Sequence, residues 1–205
     1  METSCWQCGE PSEQSLFCKF CNSLQPPVAD YYRFFGLERR LSLDAASLQK
    51  RFYELSRLLH PDRYSRRSAN EQRYSLEATA ILNDAYRVLR DPVARAEYVL
   101  KEEGFDIGEQ RSKNVPSDLL EEVFELNMAL EELRGGDASV RPHLEAEMGR
   151  FDAMREEIDR ELAALFEQYD GGRQRETLSQ IRGLLNRRRY ITNLSAEVQQ
   201  ELENR

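Results

Sequence analysis

From Ala45 to the C-terminus, apolar residues recur at spacings of three and four with few interruptions, and that period leaves the chain little choice but α-helix. Leu48, Phe52, Leu55 and Leu59 share one face of a first run, whose start Ser42 or Asp44 can cap. Lys50, Arg51, Glu54 and Arg57 fall largely on the other side. This helix must stop near His60, because Pro61 disfavours helical geometry in the residue before it. After a polar loop from Arg63 to Asn70, a second helix over 72–89 is predicted to bury Leu76, Ala80, Ile81, Ala85, Val88 and Leu89. Pro92 opens a shorter helix with Ala96, Tyr98, Val99 and Leu100, ending at Gly104. Two long helices joined by a short turn lie antiparallel and present His60-Pro61-Asp62 at their shared end. Ahead of them, Asp30–Gly36 reads as a short aromatic-rich helix stopped by glycine.

Beyond Gly108 three more helical patterns follow, at about 117–134, 138–170 and 173–203. Gly135-Gly136 and Gly171-Gly172 separate them, as in an antiparallel bundle. Leu144, Met148, Phe151, Met154, Ile158, Leu162, Leu165 and Tyr169 form the core stripe of the middle pattern. Leu178, Ile181, Leu185, Leu194, Val198 and Leu202 form that of the last. The first pattern carries two stripes. Leu119, Val123, Leu126, Leu130 and Leu133 suffice for burial in a bundle, so Leu120, Phe124 and Met128 are surplus. The second stripe either packs on the middle module, widens the core, or forms an exposed apolar strip flanked by Glu121 and Glu125.

All four cysteines lie within the first 21 residues, as Cys5-x-x-Cys8 and Cys18-x-x-Cys21. Two such pairs can place four thiolates tetrahedrally, which suits a structural zinc; iron in a rubredoxin-like site takes the same ligands. So small a segment buries little surface, so ligation is what would fold it, and glycine at Gly9 fits a tight knuckle. A dithiol redox site would need a CxxC beside a βαβ pattern, and paired disulfides would need an oxidising compartment; neither is indicated. Gln25-Pro26-Pro27 reads as a stiff link out of this module.

Charge separates the parts further. The formal net charge is -8, carried by the C-terminal third, while the middle is mildly basic. An acidic third of the chain argues against nucleic acid as the partner. No run approaches the length of apolar sequence a membrane helix needs. The N-terminus carries neither an apolar signal core nor an Arg-rich presequence, which points to a bacterial cytoplasm, or to the mitochondrial matrix if the chain is a processed eukaryotic form. There is no phosphate-cradling glycine loop and no serine–histidine–acid constellation, so no catalytic residues of its own are assigned.

The combination of Tyr31-Tyr32, a basic helix, His60-Pro61-Asp62 and Asn83-Asp84-Ala85-Tyr86-Arg87-Val88-Leu89 resembles a J-domain. Asp30-Tyr31-Tyr32-Arg33-Phe34-Phe35-Gly36-Leu37, then Arg95-Ala96-Glu97-Tyr98-Val99-Leu100 and a helical C-terminal third, resemble more narrowly the HscB family of iron–sulfur cluster co-chaperones. The tetracysteine module resembles its eukaryotic branch. The resemblance implies an all-α, L-shaped protein: a metal knuckle over 1–27, a J-domain over 28–104 and a helical bundle over 105–205. It implies two partners, a heat-shock chaperone ATPase and the cluster scaffold protein. Asp62 would make the main charge contact with the chaperone, Pro61 would fix the loop, His60 would orient it, and Lys50, Arg51 and Arg57 would steer the encounter. Leu120, Phe124, Glu125 and Met128, with Tyr190 on the last helix, are the positions that match the scaffold-binding surface. Asn127-Met128 stands where bacterial relatives often show Arg-Glu, which departs from the family's polar contacts there. The rival readings are a J-protein for a different client and a zinc-bearing thiol-redox protein using Cys5, Cys8, Cys18 and Cys21.

Overall fold

The structure, a computed structural model, describes residues 3–12, 15–105 and 119–204. It divides into two compact units, Met1–Tyr98 and Val99–Arg205. Among the described residues the fold is all-α apart from a two-residue ladder near the N-terminus, where β1 (Thr3–Ser4) pairs antiparallel with β2 (Pro11–Ser12), and an isolated antiparallel bridge between Phe17 and Leu24.

In the first unit, α1 (Tyr31–Phe35) is short because both ends are capped. The Asp30 carboxylate accepts from the Arg33 N–H at 3.0 Å, and Gly36 takes a left-handed φ of 69°. Tyr32, Phe34 and Phe35 are buried. Asp44, the second of the two caps considered, starts α2 (Ala45–Leu59) by accepting from Ser47 N–H at 2.7 Å. α3 spans Ala69–Arg90, beginning three residues earlier than periodicity alone indicates. Ser68 and Glu71 explain the difference: the Ser68 hydroxyl accepts from the Glu71 N–H, in the Ser-x-x-Glu spacing of a capping box.

The buried face of α3 is also rotated from the expected one. Tyr74, Ser75, Ala78, Leu82, Ala85 and Leu89 face the core, whereas Leu76 is 61% exposed and Ala80 also faces solvent. Small Ser75 and Ala78 let α3 approach the end of α2, and Ser75 Oγ donates to the Leu59 carbonyl at 2.7 Å. Phe52 stacks on Tyr86 with centroids 4.2 Å apart, so the end of α2 meets the start of α3 and the pair is antiparallel.

α4 (Pro92–Glu102) is tied back by two residues of the Arg95–Leu100 segment. Arg95 is buried, donating to the Leu41 carbonyl at 2.8 Å and to the Leu89 carbonyl at the end of α3. Tyr98 stacks on Tyr31 at 4.6 Å, and its hydroxyl accepts from the Tyr31 N–H. The two sequence segments that carry the family resemblance are thus each other's packing partners.

The second unit holds α5 (Leu120–Arg134), α6 (Arg141–Gly172) and α7 (Arg175–Glu203). The first two positions of the expected 117–134 helix lie outside the described residues. Arg141 reaches the Leu202 carbonyl and Arg188 grips Asp159 with two hydrogen bonds, so α6 and α7 run antiparallel. An ion pair from Arg150 to Glu122 sets α5 antiparallel to α6. The glycine pair 171–172 closes α6 but does not supply its left-handed cap, which is Arg173, at φ 52°. Its N–H closes on the Tyr169 carbonyl at 2.7 Å and its guanidinium lies 5.3 Å from the centre of the Tyr169 ring, contacts that offset the strain. The core keeps Leu144, Phe151, Ile158, Leu162, Tyr169, Leu178, Ile181, Leu185, Leu194 and Val198. Phe166 and Ile191 join them, while Met148, Met154, Leu165 and Leu202 sit half-buried at its margin.

Candidate functional site

The His60-Pro61-Asp62 loop begins where α2 ends. Pro61 has no N–H to continue the helix, so the last carbonyls of α2 lose their intrahelical partners. Side chains from further along the chain supply replacements. Arg63 reaches the Arg57 carbonyl, Tyr64 Oη donates to Leu58 at 3.1 Å, and Ser75 Oγ and Thr79 Oγ1 both donate to Leu59. Residues Pro61–Tyr64 then wind into a single 3-10 turn, closed by the Arg63 N–H on the His60 carbonyl. His60 Nδ1 accepts from the Asp62 N–H at 3.3 Å, and Ser65 Oγ donates to the Asp62 carbonyl. The carbonyls of Leu58, Leu59, His60 and Asp62 are all engaged, yet the Asp62 side chain is 90% exposed. A rigid loop holds one carboxylate in solvent.

Sequence reasoning found the tripeptide but not its clamps. Tyr64, Ser75 and Thr79 carry no motif, and only tertiary packing brings them to α2. Of the three basic residues on α2, Lys50 and Arg57 stand exposed. Arg51 is largely spent within the fold, donating to the Phe35 carbonyl at 3.1 Å and pairing with Glu54.

The four cysteines converge as their spacing indicates. Their Sγ atoms all lie within 4.8 Å of one another, with Cys5–Cys21 and Cys8–Cys18 both at 3.7 Å. Metal–sulfur bonds of about 2.3 Å in a tetrahedron require sulfurs roughly 3.75 Å apart, whereas a disulfide requires about 2.05 Å. The donor set fits a four-coordinate metal. The two halves repeat one local geometry: Gly9 N–H closes on the Cys5 carbonyl at φ 78°, and Asn22 N–H on Cys18 at φ 57°. Asparagine is among the few other side chains that enter that region readily, so Asn22 does for the second knuckle what Gly9 does for the first.

Around the sulfurs lies a shell of donors. Gln7 and Phe20 direct backbone N–H groups at Cys5 and Cys18, each at 3.4 Å. Gln25, which the sequence suggests is part of a linker, is instead buried: its amide donates to Cys5 Sγ at 3.3 Å and to both oxygens of Ser23. Desolvation opposes charge on Cys5, but the Cys8 N–H, the Ser23 hydroxyl and the Gln7 N–H overcome it and bring the thiol down to about 5. Cys8 moves the other way. The Glu10 N–H favours its thiolate, yet desolvation and the other three sulfurs push it up to about 12. Four thiolates this close need a cation among them. Trp6 joins the knuckle to the helices, donating to the Leu24 carbonyl at 2.7 Å and meeting the Tyr74 ring edge-on.

On α5 the surplus stripe is at the surface. Leu120, Phe124 and Met128 are 54%, 66% and 49% exposed, while Leu119, Val123, Leu126 and Leu130 are buried. Glu125 is exposed beside them. Tyr190 lies half-buried on α7. The structure thus brings Leu120, Phe124, Glu125 and Met128 onto one helix surface.

Two domain families match the chain: the DnaJ domain over residues 30–98 and the HSCB C-terminal oligomerisation domain over residues 115–199. The iron-sulfur cluster co-chaperone protein HscB of Mus musculus is 32% identical over 200 residues, covering 95% of this chain and 80% of its own. The co-chaperone protein HscB homolog of Vibrio vulnificus (strain YJ016) is 31% identical over 173 residues, covering 83% and 95% respectively. The crystal structure of human co-chaperone protein HscB superposes with a TM-score of 0.76 at 28% identity, over 98% of this chain and 99% of that one.

Proposed function

Because this chain belongs to the HscB family of iron–sulfur cluster co-chaperones, we propose that it brings the cluster scaffold protein to an Hsp70-class chaperone and triggers ATP hydrolysis there. Residues 28–104 act as the J-domain, 105–205 as the scaffold-binding bundle and 1–27 as a metal-held knuckle. The cluster is cargo, and the protein's own work is docking.

The observation that carries this reading is a 90% exposed carboxylate on a loop tied down by hydrogen bonds at the Leu58, Leu59 and Asp62 carbonyls. Asp62 offers that charge to a cation on the chaperone, and because the loop is pre-ordered, little conformational entropy is lost on docking. Pro61 fixes the turn and His60 orients it through the Asp62 N–H. Lys50 and Arg57 steer the encounter electrostatically, with Arg51 contributing less because its guanidinium is engaged. Leu120, Phe124 and Met128 bury apolar surface against the scaffold, Glu125 adds a polar contact at the edge, and Tyr190 joins that surface. One chain holding both partners raises the effective concentration of client at the chaperone, which couples delivery to hydrolysis. Cys5, Cys8, Cys18 and Cys21 hold zinc, which is redox-inert and suits a closed four-sulfur site; metal analysis distinguishes it from iron. The protein works where its partners reside, in a bacterial cytoplasm or in the mitochondrial matrix for a processed eukaryotic form. No helix among the described residues is long and apolar enough to cross a membrane.

Single-turnover ATP hydrolysis by the cognate chaperone tests this directly. The expected result is stimulation that grows when scaffold protein is added and falls at least tenfold with Asp62→Asn. Equal stimulation by the parent and by Asp62→Asn would overturn it.

A further inference from the structure

In the first unit, a groove of about 480 Å³ separates the metal knuckle from the turn that follows Asp62. One wall belongs to the knuckle and includes Gln7 and Phe17; the other carries Leu58, Arg63 and Arg67. The walls are held in register. Trp6 pins the knuckle to Tyr74 of α3, while Tyr64 and Gln72 hold the opposite turn through the carbonyls of Leu58, Ser65 and Arg67. The groove is also amphipathic, since Leu58 remains 41% exposed beside the two arginines. Its one carboxylate among the lining residues, Glu71, keeps its charge while accepting from the Ser68 hydroxyl at 3.1 Å, so Arg63 and Arg67 outnumber it and leave that wall net positive. Arg63 follows Asp62 in the same turn, so the groove begins one residue from the exposed carboxylate.

We propose that the knuckle is part of the chaperone-docking surface, and that this groove receives an extended acidic segment of the partner chaperone bearing apolar side chains. The proposal rests on the co-chaperone reading above. Arg63 and Arg67 supply charge complementarity to the segment's carboxylates, and Leu58 and Phe17 cover its apolar side chains. The metal contributes by keeping the knuckle wall folded.

Gln7 isolates the knuckle's share. Its side chain is exposed on the groove wall, and only its backbone N–H serves the cysteines, so its replacement leaves both the metal site and the Asp62 loop intact. The experiment measures chaperone ATPase stimulation against co-chaperone concentration for the parent, Gln7→Glu, Gln7→Lys and Asp62→Asn, with the metal-to-protein ratio determined for each. A unit charge about 8 Å from a partner charge in a water-like dielectric changes half-saturation by roughly two- to threefold. Gln7→Glu is expected to raise the half-saturating concentration by that factor and Gln7→Lys to lower it. Both should keep the same maximal stimulation and metal content, and the contrast should fade at high salt. Identical half-saturation for both Gln7 variants, with Asp62→Asn still inactive, overturns the groove while the co-chaperone reading stands. A dimer of this chain that Gln7→Glu dissociates would assign the groove to a second copy and overturn it equally. Absence of stimulation by the parent would overturn the reading and the groove together.

Discussion

Phe124 on α5 is 66% exposed although it lies in an apolar stripe, so its removal should cost binding and spare the fold. Complete burial of a phenylalanine stabilises by about 1.5–3 kcal/mol. Two-thirds of that surface is still open in the free protein, which leaves about 1–2 kcal/mol to be gained when a partner covers it. Phe124→Ser should therefore weaken scaffold binding by roughly five- to thirtyfold, since about 1.4 kcal/mol is a factor of ten. The remaining third of that surface is buried in the free protein, so the loss in folding stability should stay at about 0.5–1 kcal/mol. Leu126→Ser is the control. Two residues along the same helix and 1% exposed, it should destabilise the bundle by several kcal/mol. Isothermal titration with purified scaffold protein, alongside urea unfolding, separates the two effects. Unchanged affinity for Phe124→Ser would refute the reasoning, as would a loss of stability comparable to that of Leu126→Ser, which would mean the stripe is buried.

The clamp on α2 predicts that Ser75→Ala costs about 1–2 kcal/mol in chemical denaturation, because Leu59 then keeps only the longer bond from Thr79, at 3.3 Å. A smaller effect from Ser75→Ala than from an exposed serine such as Ser179→Ala would contradict it. Stripping metal with a chelator should unfold the knuckle while leaving helical circular dichroism nearly unchanged, and the emission of Trp6 should shift to the red as its bond to Leu24 is lost. Emission that is indifferent to chelation would show that the cysteines need no metal to hold their geometry. Asp44 lies below the ordinary carboxylate range because the Ser47 hydroxyl and N–H bind its charged form. A depressed folded-state pKa gives stability that is present above the unfolded value of about 3.9 and lost as pH falls through the folded one. The stability difference between the parent and Asp44→Ala should therefore be full at pH 6 and shrink towards pH 3; a gap constant with pH would rule out the charged cap.

How legible these sites were depends on how local their causes are. Gly9, the two CxxC pairs and the Asp44 cap act over a few residues, and the structure bears each of them out. The start of α3 was equally local, encoded in Ser68 and Glu71, but periodicity alone places it too late. The orientation of α3 was not local at all. Leu76 is a larger apolar residue than Ser75, yet Ser75 is the one buried, because the gap against α2 admits only a small side chain that can answer the Leu59 carbonyl. Gln25 fails for the same reason: next to two prolines it reads as linker, and only the folded knuckle reveals that Cys5 and Ser23 are its partners.

The amino-acid sequence by itself determined helical content, the break at Pro61, the convergence of four sulfurs and the existence of a surplus apolar stripe. Each follows from spacing along one chain, where helical period, proline geometry and ligand reach operate over a handful of residues. Only the tertiary structure decided that the surplus stripe faces outward and that Arg51 is spent on Phe35. It alone brought Tyr64, Ser75 and Thr79 to the carbonyls that Pro61 had orphaned. Those outcomes depend on which surfaces meet, and burial and hydrogen-bond satisfaction are settled between segments distant in sequence.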